Sequence, residues 1–371
     1  MITRPVTQEI DFDHEGLVIT GSTPSERGRA RGPRRTGEKV TAVRRLPAVL
    51  VSVVALLVLA GCGSGPDQAG AAAIVGDQVI TIDEIQGRLR TAVPDLRMAV
   101  DQQSASQGTA PGAPIPPALL AQESRRLVTV RVLHTLIAEQ SRRDGVVVSP
   151  AQVDAALARA GGAEAAARGS GFDPATIREL VGDQIAAAEI GRRVFDRLTV
   201  TVDYAGTGDR AAAEALAARV AADPARAAEL FAAQAGGAGA AGLSLRPGAD
   251  QGGGVRSTAS SVLFGLPAGT VALTPGGGAQ AGGDPAQGPW TVVHVRERRL
   301  DAPPPGPGVV PAAAVDEDTM FGFGLRQLQP LALELGVTVS PRYGTWDPTQ
   351  LDVVEDPAAA GTITPVRTSA P

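Results

Sequence analysis

The 371-residue chain contains one cysteine, three histidines, one lysine and eleven aromatic residues. One cysteine excludes an internal disulfide framework and a thiolate metal cage. Three histidines leave little material for metal or acid–base chemistry, and neither a cofactor nor a metal is expected. The lysine, Lys39, lies in the first tenth or so of the chain. The rest therefore has no amine for a Schiff base and no P-loop lysine. So few aromatics offer few platforms for stacking bases or sugars, and a net charge of −5 lacks the basic footprint of a nucleic-acid binder. Gly (45 residues) and Pro (29) are plentiful but follow no period, which excludes collagen-like order and suggests folded parts joined by loose ones.

The single cysteine closes the segment Leu59-Ala60-Gly61-Cys62. Upstream, Arg44 and Arg45 precede an apolar stretch from Leu46 to Ala60, interrupted only by Pro47 and Ser52. A basic n-region, an apolar h-region and small residues at the cleavage point describe a secretory signal peptide, expected over residues 40–61. The stretch is short of the about 20 apolar residues that a spanning helix needs. Leu-Ala-Gly-Cys resembles the bacterial lipobox. That resemblance implies a diacylglyceryl group on the Cys62 thiol, cleavage that makes Cys62 the mature N-terminus, and a lipid anchor on the outer face of the plasma membrane. Gly63 differs from the Asp associated with inner-membrane retention in two-membrane cells.

Residues 1–39 are polar, rich in Arg, Gly and acids, and unusually long for an n-region. Translation is expected to begin near Val40, the alternative being a disordered cytoplasmic extension. Removing residues 1–61 takes nine Lys/Arg and six Asp/Glu from the 34 and 39 of the whole chain, leaving 25 and 33 and a net charge of −8.

In the mature part, 62–72 reads as a tether. Ala73 to Ile80 reads as strand, turn, strand, and Thr81 with Glu84 has the spacing of a capping box for a helix starting at Ile82. The Gln-, Ser-, Gly- and Pro-rich residues 101–117 read as a loop. From Pro117 to Arg143, Leu120, Leu127, Val130, Leu133 and Ile137 repeat at helical spacing, and Val128, Val132 and Leu136 widen the stripe. Ser149-Pro150 and Asp173-Pro174 each open a helix. After Leu198 the pattern changes: Thr199–Asp203 alternates as a strand, 209–222 and 224–233 are helical, and 236–254 is weakly determined. A short helix at Ser261–Phe264, a turn and a strand over Leu266–Val271 and a strand at Trp290–Val295 complete an α+β module. Asp301 to Gly308 reads as a Pro-rich linker, 313–335 as a helix kinked at Pro330, Val337–Val339 as a strand, and the tail from Pro348 as disordered.

Three segments in this order resemble the SurA/PrsA class of extracytoplasmic foldases: Ile74–Ile85, Val132–Ile137 with Asp144–Val153, and Val262–Val271 with Gly288–Val295. The resemblance implies a mainly helical core, 73–199, closed by N- and C-terminal strands, so that Val337–Tyr343 would return to the Ile74–Ile80 hairpin. It also implies an inserted parvulin-like α+β domain at 200–300, a linker at 301–312 and a closing helix and strand at 313–347, with 348–371 left as the tail.

Active parvulins, the resemblance implies, carry one His on the first strand and one on the last. Asp203 and Tyr204 stand at the first position and Thr291 at the second. His294 lies three residues beyond Thr291, on the opposite side of the strand. The domain is therefore expected to be a degenerate parvulin without catalytic residues. His294 reads as an edge or surface residue, His134 as a hydrogen-bonded core or boundary histidine, and Arg296–Arg299 as a solvated strand end. A second reading of that Arg cluster is contact with anionic lipid headgroups. Leu120, Leu127 and Val128 read as core, with a cleft lining as the alternative.

The expected function is transient binding of unfolded or nascent exported polypeptides by a protein tethered to the membrane through Cys62. Two alternatives stay open: an active peptidyl-prolyl isomerase with an altered site, and an envelope lipoprotein dedicated to one partner.

Overall fold

The computed structural model describes residues 70–108, 110–234, 239–250, 253–276 and 288–366. Cys62, the signal segment and residues 1–39 lie outside the described residues, as do 367–371. Among the described residues no helix is long and apolar enough to cross a membrane.

β1 (Ala71–Val75) and β2 (Gln78–Thr81) form a hairpin whose turn places Gly76 in the left-handed region, φ +57°. β1 thus begins within the expected tether, because Ala71 and Ala72 are already buried. Thr81 caps α1 (Ile82–Ser106) by accepting the Glu84 N–H at 3.1 Å. The Glu84 carboxylate does not close the box; it turns to Arg88 and Arg131. Contrary to the expected loop from 101, α1 continues to Ser106, its later turns held by buried Val100. α2 (Pro117–Asp144) ends on left-handed Gly145. α3 (Pro150–Arg159) starts from a complete Ser149–Gln152 capping box. After the short α4 (Ala163–Ala167), α5 (Pro174–Phe195) starts from the Asp173 cap.

The second half comprises β3 (Thr199–Thr207), α6 (Arg210–Ala222), α7 (Ala227–Ala232) and β4 (Gly239–Leu245). α8 (Gly254–Ala259), β5 (Thr270–Pro275) and β6 (Trp290–Arg299) follow. β4 arises in the Gly-rich stretch that has no strand pattern of its own; it forms by pairing along β3. β5 begins at Thr270, directly after the expected turn, where Gly269 sits at φ +71°, and runs on to Pro275.

α9 (Glu317–Arg326) and α10 (Gln329–Leu335) replace the single kinked helix. The break falls at Gln327–Leu328, and Pro330 sits in the first turn of α10, where its missing N–H is harmless. β7 (Val337–Val339), β8 (Thr345–Asp347), β9 (Asp352–Val354) and β10 (Thr362–Pro365) follow. The tail expected to be disordered is therefore ordered through residue 366. Asp347 accepts hydrogen bonds from the backbone N–H of Thr349 and Gly361, and Arg210 donates to the carbonyls of Ala358 and Ala360. The expected linker is also packed: Ala302 N–H donates to Arg197 O and Val310 N–H to Gly248 O.

Among the described residues three sheets result, in the orders β2-β1-β7, β10-β5-β6-β3-β4 and β8-β9. The class is α+β. β7 runs antiparallel to β1, with Ala73 opposite Val339 and Val75 opposite Val337. The first core gathers Ile80, Leu127, Val128, Leu136 and Ile190, with Leu351 and Val353 from the tail. One face of the five-stranded sheet packs Val202, Val293 and Val295 on Phe195, Phe264 and Phe323; the other packs Ala205, Val292 and Trp290 on Leu216 and Phe231. The halves meet where α5 crosses α9. A Cβ on Gly324 would lie 1.9 Å from the Ala187 carbonyl oxygen, so the helices approach as only glycine allows. Phe195 and Phe323 add an edge-to-face contact at 4.9 Å.

Candidate functional site

Two concave regions and two polar clusters stand out among the described residues. The first concavity, a pocket of about 330 Å³, lies on the α9 face of the five-stranded sheet. Tyr204, Thr274 and Thr291 contribute from the strands, with Ser261 and Leu263 from the loop after α8. No histidine, cysteine or carboxylate is among its lining residues. Arg326 completes it. Its Nε donates to Ser260 O at 2.7 Å and its Nη1 to Thr349 O at 2.8 Å, and burial pushes the guanidinium down to about 10. From the tail, Gln350 Nε2 donates to Thr274 Oγ1 at 2.9 Å across this pocket.

His294 is on the other face of the sheet. It is only 6% exposed, on a strand held between β5 and β3, which corrects the expected surface position. Opposite it in register stands Asp203, fully buried, whose Oδ2 is 3.1 Å from His294 Nδ1. Arg296 Nε donates to the same oxygen at 2.7 Å, and Gly242 N–H donates to Oδ1 at 2.7 Å. Burial pushes the Asp203 carboxyl up, but the bonds from Arg296, Gly242 and His294 outweigh it and hold the pKa below its ordinary value. The Arg cluster is a largely solvated strand end, as expected, with Arg296 and Arg299 exposed and Arg298 half-buried. Arg298 donates to Phe264 O and Gln327 Oε1, with its pKa pushed down by burial to about 10. Arg299 pairs with Asp301.

His134 is a boundary residue, as expected. Nδ1 lies 2.8 Å from Asp183 and Nε2 3.1 Å from Glu179. Glu179 also pairs with Arg88 and Arg131, joining α1, α2 and α5. Burial raises the Glu179 carboxyl, but the charges of His134, Arg131 and Arg88 prevail and lower its pKa. Sequence reasoning singled out His134 alone. The signal for the rest was the spacing of Glu179 with Asp183 and of Arg131 with His134, each pair one turn apart on a helix.

The second concavity is a groove of about 690 Å³. β7 lines it with Val337, Thr338 and Val339; Thr345 and half-buried Trp346 come from β8, and Leu333 from α10. β7 is an edge strand. Ser340 N–H donates to Ala72 O and Gly76 N–H to Gly336 O. Antiparallel alternation therefore directs the backbone N–H and C=O of Val337 and Val339 away from β1, toward the open edge. Leu127 and Val128 belong to the core and not to this groove.

Among the described residues no group of His, Cys, Asp and Glu could hold a metal ion. Cys62 lies outside the described residues. No protein-family model and no curated protein matches the chain.

Proposed function

We propose that this chain is a polypeptide-holding protein of the cell envelope, of the SurA/PrsA-like kind, tethered through a lipidated Cys62. It binds extended segments of unfolded exported proteins. The observation that carries the reading is the open β7 edge beside an apolar groove. Val337 and Val339 present unpaired backbone groups to an incoming strand, while Trp346 and Leu333 offer apolar area for alternate side chains. Backbone pairing recognises any extended segment, which suits a protein that serves many clients.

In this reading the parvulin-like half is non-catalytic. Thr291 and Tyr204 line the pocket where the family carries histidine, and His294 serves Asp203 on the far face. No histidine or carboxylate lines that pocket to act against the about 18–20 kcal/mol isomerisation barrier.

The test is Val339→Pro. Residue 339 does not donate to β1, so the substitution removes an outward N–H and leaves the three-stranded sheet paired. Suppression of aggregation of several unrelated unfolded proteins should fall to near background, and the Trp346 emission shift on peptide addition should vanish. Unchanged holding activity would overturn the reading. Capture of one stoichiometric partner without effect on unrelated clients would favour the dedicated lipoprotein instead. Catalysis in a proline-peptide assay would restore the isomerase.

A further inference from the structure

We infer that the outer edge of β5 is a second polypeptide-binding edge, covered by β10, which an incoming extended and uncharged β-branched segment displaces. The inference rests on the polypeptide-holding reading. β10 pairs with β5 over four positions, Thr362 opposite Leu273 through Pro365 opposite Thr270. Val366 N–H donates to Gly269 O at 2.8 Å, so alternation turns the backbone groups of Thr364 and Thr362 toward β5. Beyond this ladder, Ile363 and Val366 pack at the margins of the two cores of the sheet half. Thr362, Thr364 and Pro365 are exposed and Ile363 is half-buried, whereas Thr270 to Thr274 beneath it are all buried. β10 thus has the character of a bound peptide, attached through its backbone with one side chain packed.

The attachment point is separate from the strand. Arg210 grips the Ala358 and Ala360 carbonyls, and Gly361 N–H donates to buried Asp347 at 2.9 Å. β10 can therefore peel from its C-terminal end, with release stopping at Gly361. The occupant is specified by what β10 itself offers: Thr, Ile and Thr, with no charge, in extended form.

The test uses the chain from Cys62 onward and a fluorophore-labelled peptide of residues 361–366. Thr364→Pro removes a backbone donor to β5 and loosens β10 in the full-length tail. Ile363→Asp loosens it independently by removing the packed side chain. Both variants should bind the peptide at least tenfold more tightly than the parent chain, and an unfolded, carboxymethylated polypeptide should compete. Val339→Pro should leave peptide binding at β5 unchanged. If both loosened variants bind the peptide no better than the parent, the inference fails, even where Val339→Pro abolishes client holding. If they bind the peptide tightly and Val339→Pro leaves client holding intact, the β5 edge stands and the β7 reading falls.

Discussion

β7 and β5 end their sheets in opposite ways. β7 leaves the outward backbone groups of Val337 and Val339 beside a groove, while β5 is closed by the chain's own last strand. Uncovered strand edges template association, and proteins blunt them with proline, charge or a covering element. All three devices occur here. Pro341, Pro348, Pro357 and Glu355 rim the β7 groove, and Pro365 ends the strand that covers β5. The contrast teaches that the molecule controls exposure of strand edges locally: one edge is guarded yet accessible, the other is occupied.

The comparison is broken most severely at the joint between the halves. Gly324→Val forces a side chain into the Ala187 backbone, which no rotamer relieves, and should cost about 3 kcal/mol or more. Trp290, buried in the sheet half, and Trp346, beside the β7 groove, then report melting of the two halves. Single-tryptophan versions (Trp290→Phe or Trp346→Phe) should lose structure together at a lowered temperature. Separate transitions would make the two edges properties of independent units.

Next in size, Asp203→Ala leaves Arg296, His294 and the Gly242 N–H without their acceptor. Breaking a buried pair costs about 3–5 kcal/mol, and the partial exposure of Arg296 puts this one at the low end. Amide exchange should quicken in β3 and β4 while Trp346 still responds to peptide.

Acid sharpens the same contrast. Asp203 and Glu179 both have folded pKa values below their ordinary ones, so each binds protons more readily when unfolded. The stability they contribute is full above the unfolded carboxylate pKa of about 4 and is lost as pH falls through the lowered folded values. Denaturant midpoints should therefore hold steady from neutrality to about pH 4 and decline below it. In Asp203→Asn the decline should be shallower for the sheet half. An equally steep decline would show that other carboxylates govern acid unfolding.

The smallest effect is expected at Glu179→Gln. Its partners are a fifth to a quarter exposed, so the loss should be about 1 kcal/mol in denaturant unfolding, confined to the helical half.

Local signals in the sequence were legible where one residue type has one job. Thr81, Ser149, Asp173 and Asp209 all cap the helices they were expected to open, and the wide stripe on α2 is buried as its width implied. The strand at 337–339 was likewise expected, together with its return to the first hairpin. What was not legible depends on partners distant in sequence. β4 is made largely of glycine and small residues without an alternating pattern, and it exists because β3 offers a ladder. The tail carries no apolar period, yet Arg210, Arg326 and Asp347 fix its carbonyls and amides. His294 followed no pattern that distinguishes a buried, paired histidine from an edge residue, because the deciding residue is Asp203 on another strand.

The pairing of β1 with β7 also sets an order of events. Ile74 must wait for Thr338 before the first sheet has its third strand, and Leu351 and Val353 join the same core later still. A chain that emerges N-terminus first cannot complete this core until nearly all of it has appeared. Contacts so far apart in sequence slow folding. The same connection that closes the finished molecule keeps the unfinished one open, and so keeps it threadable.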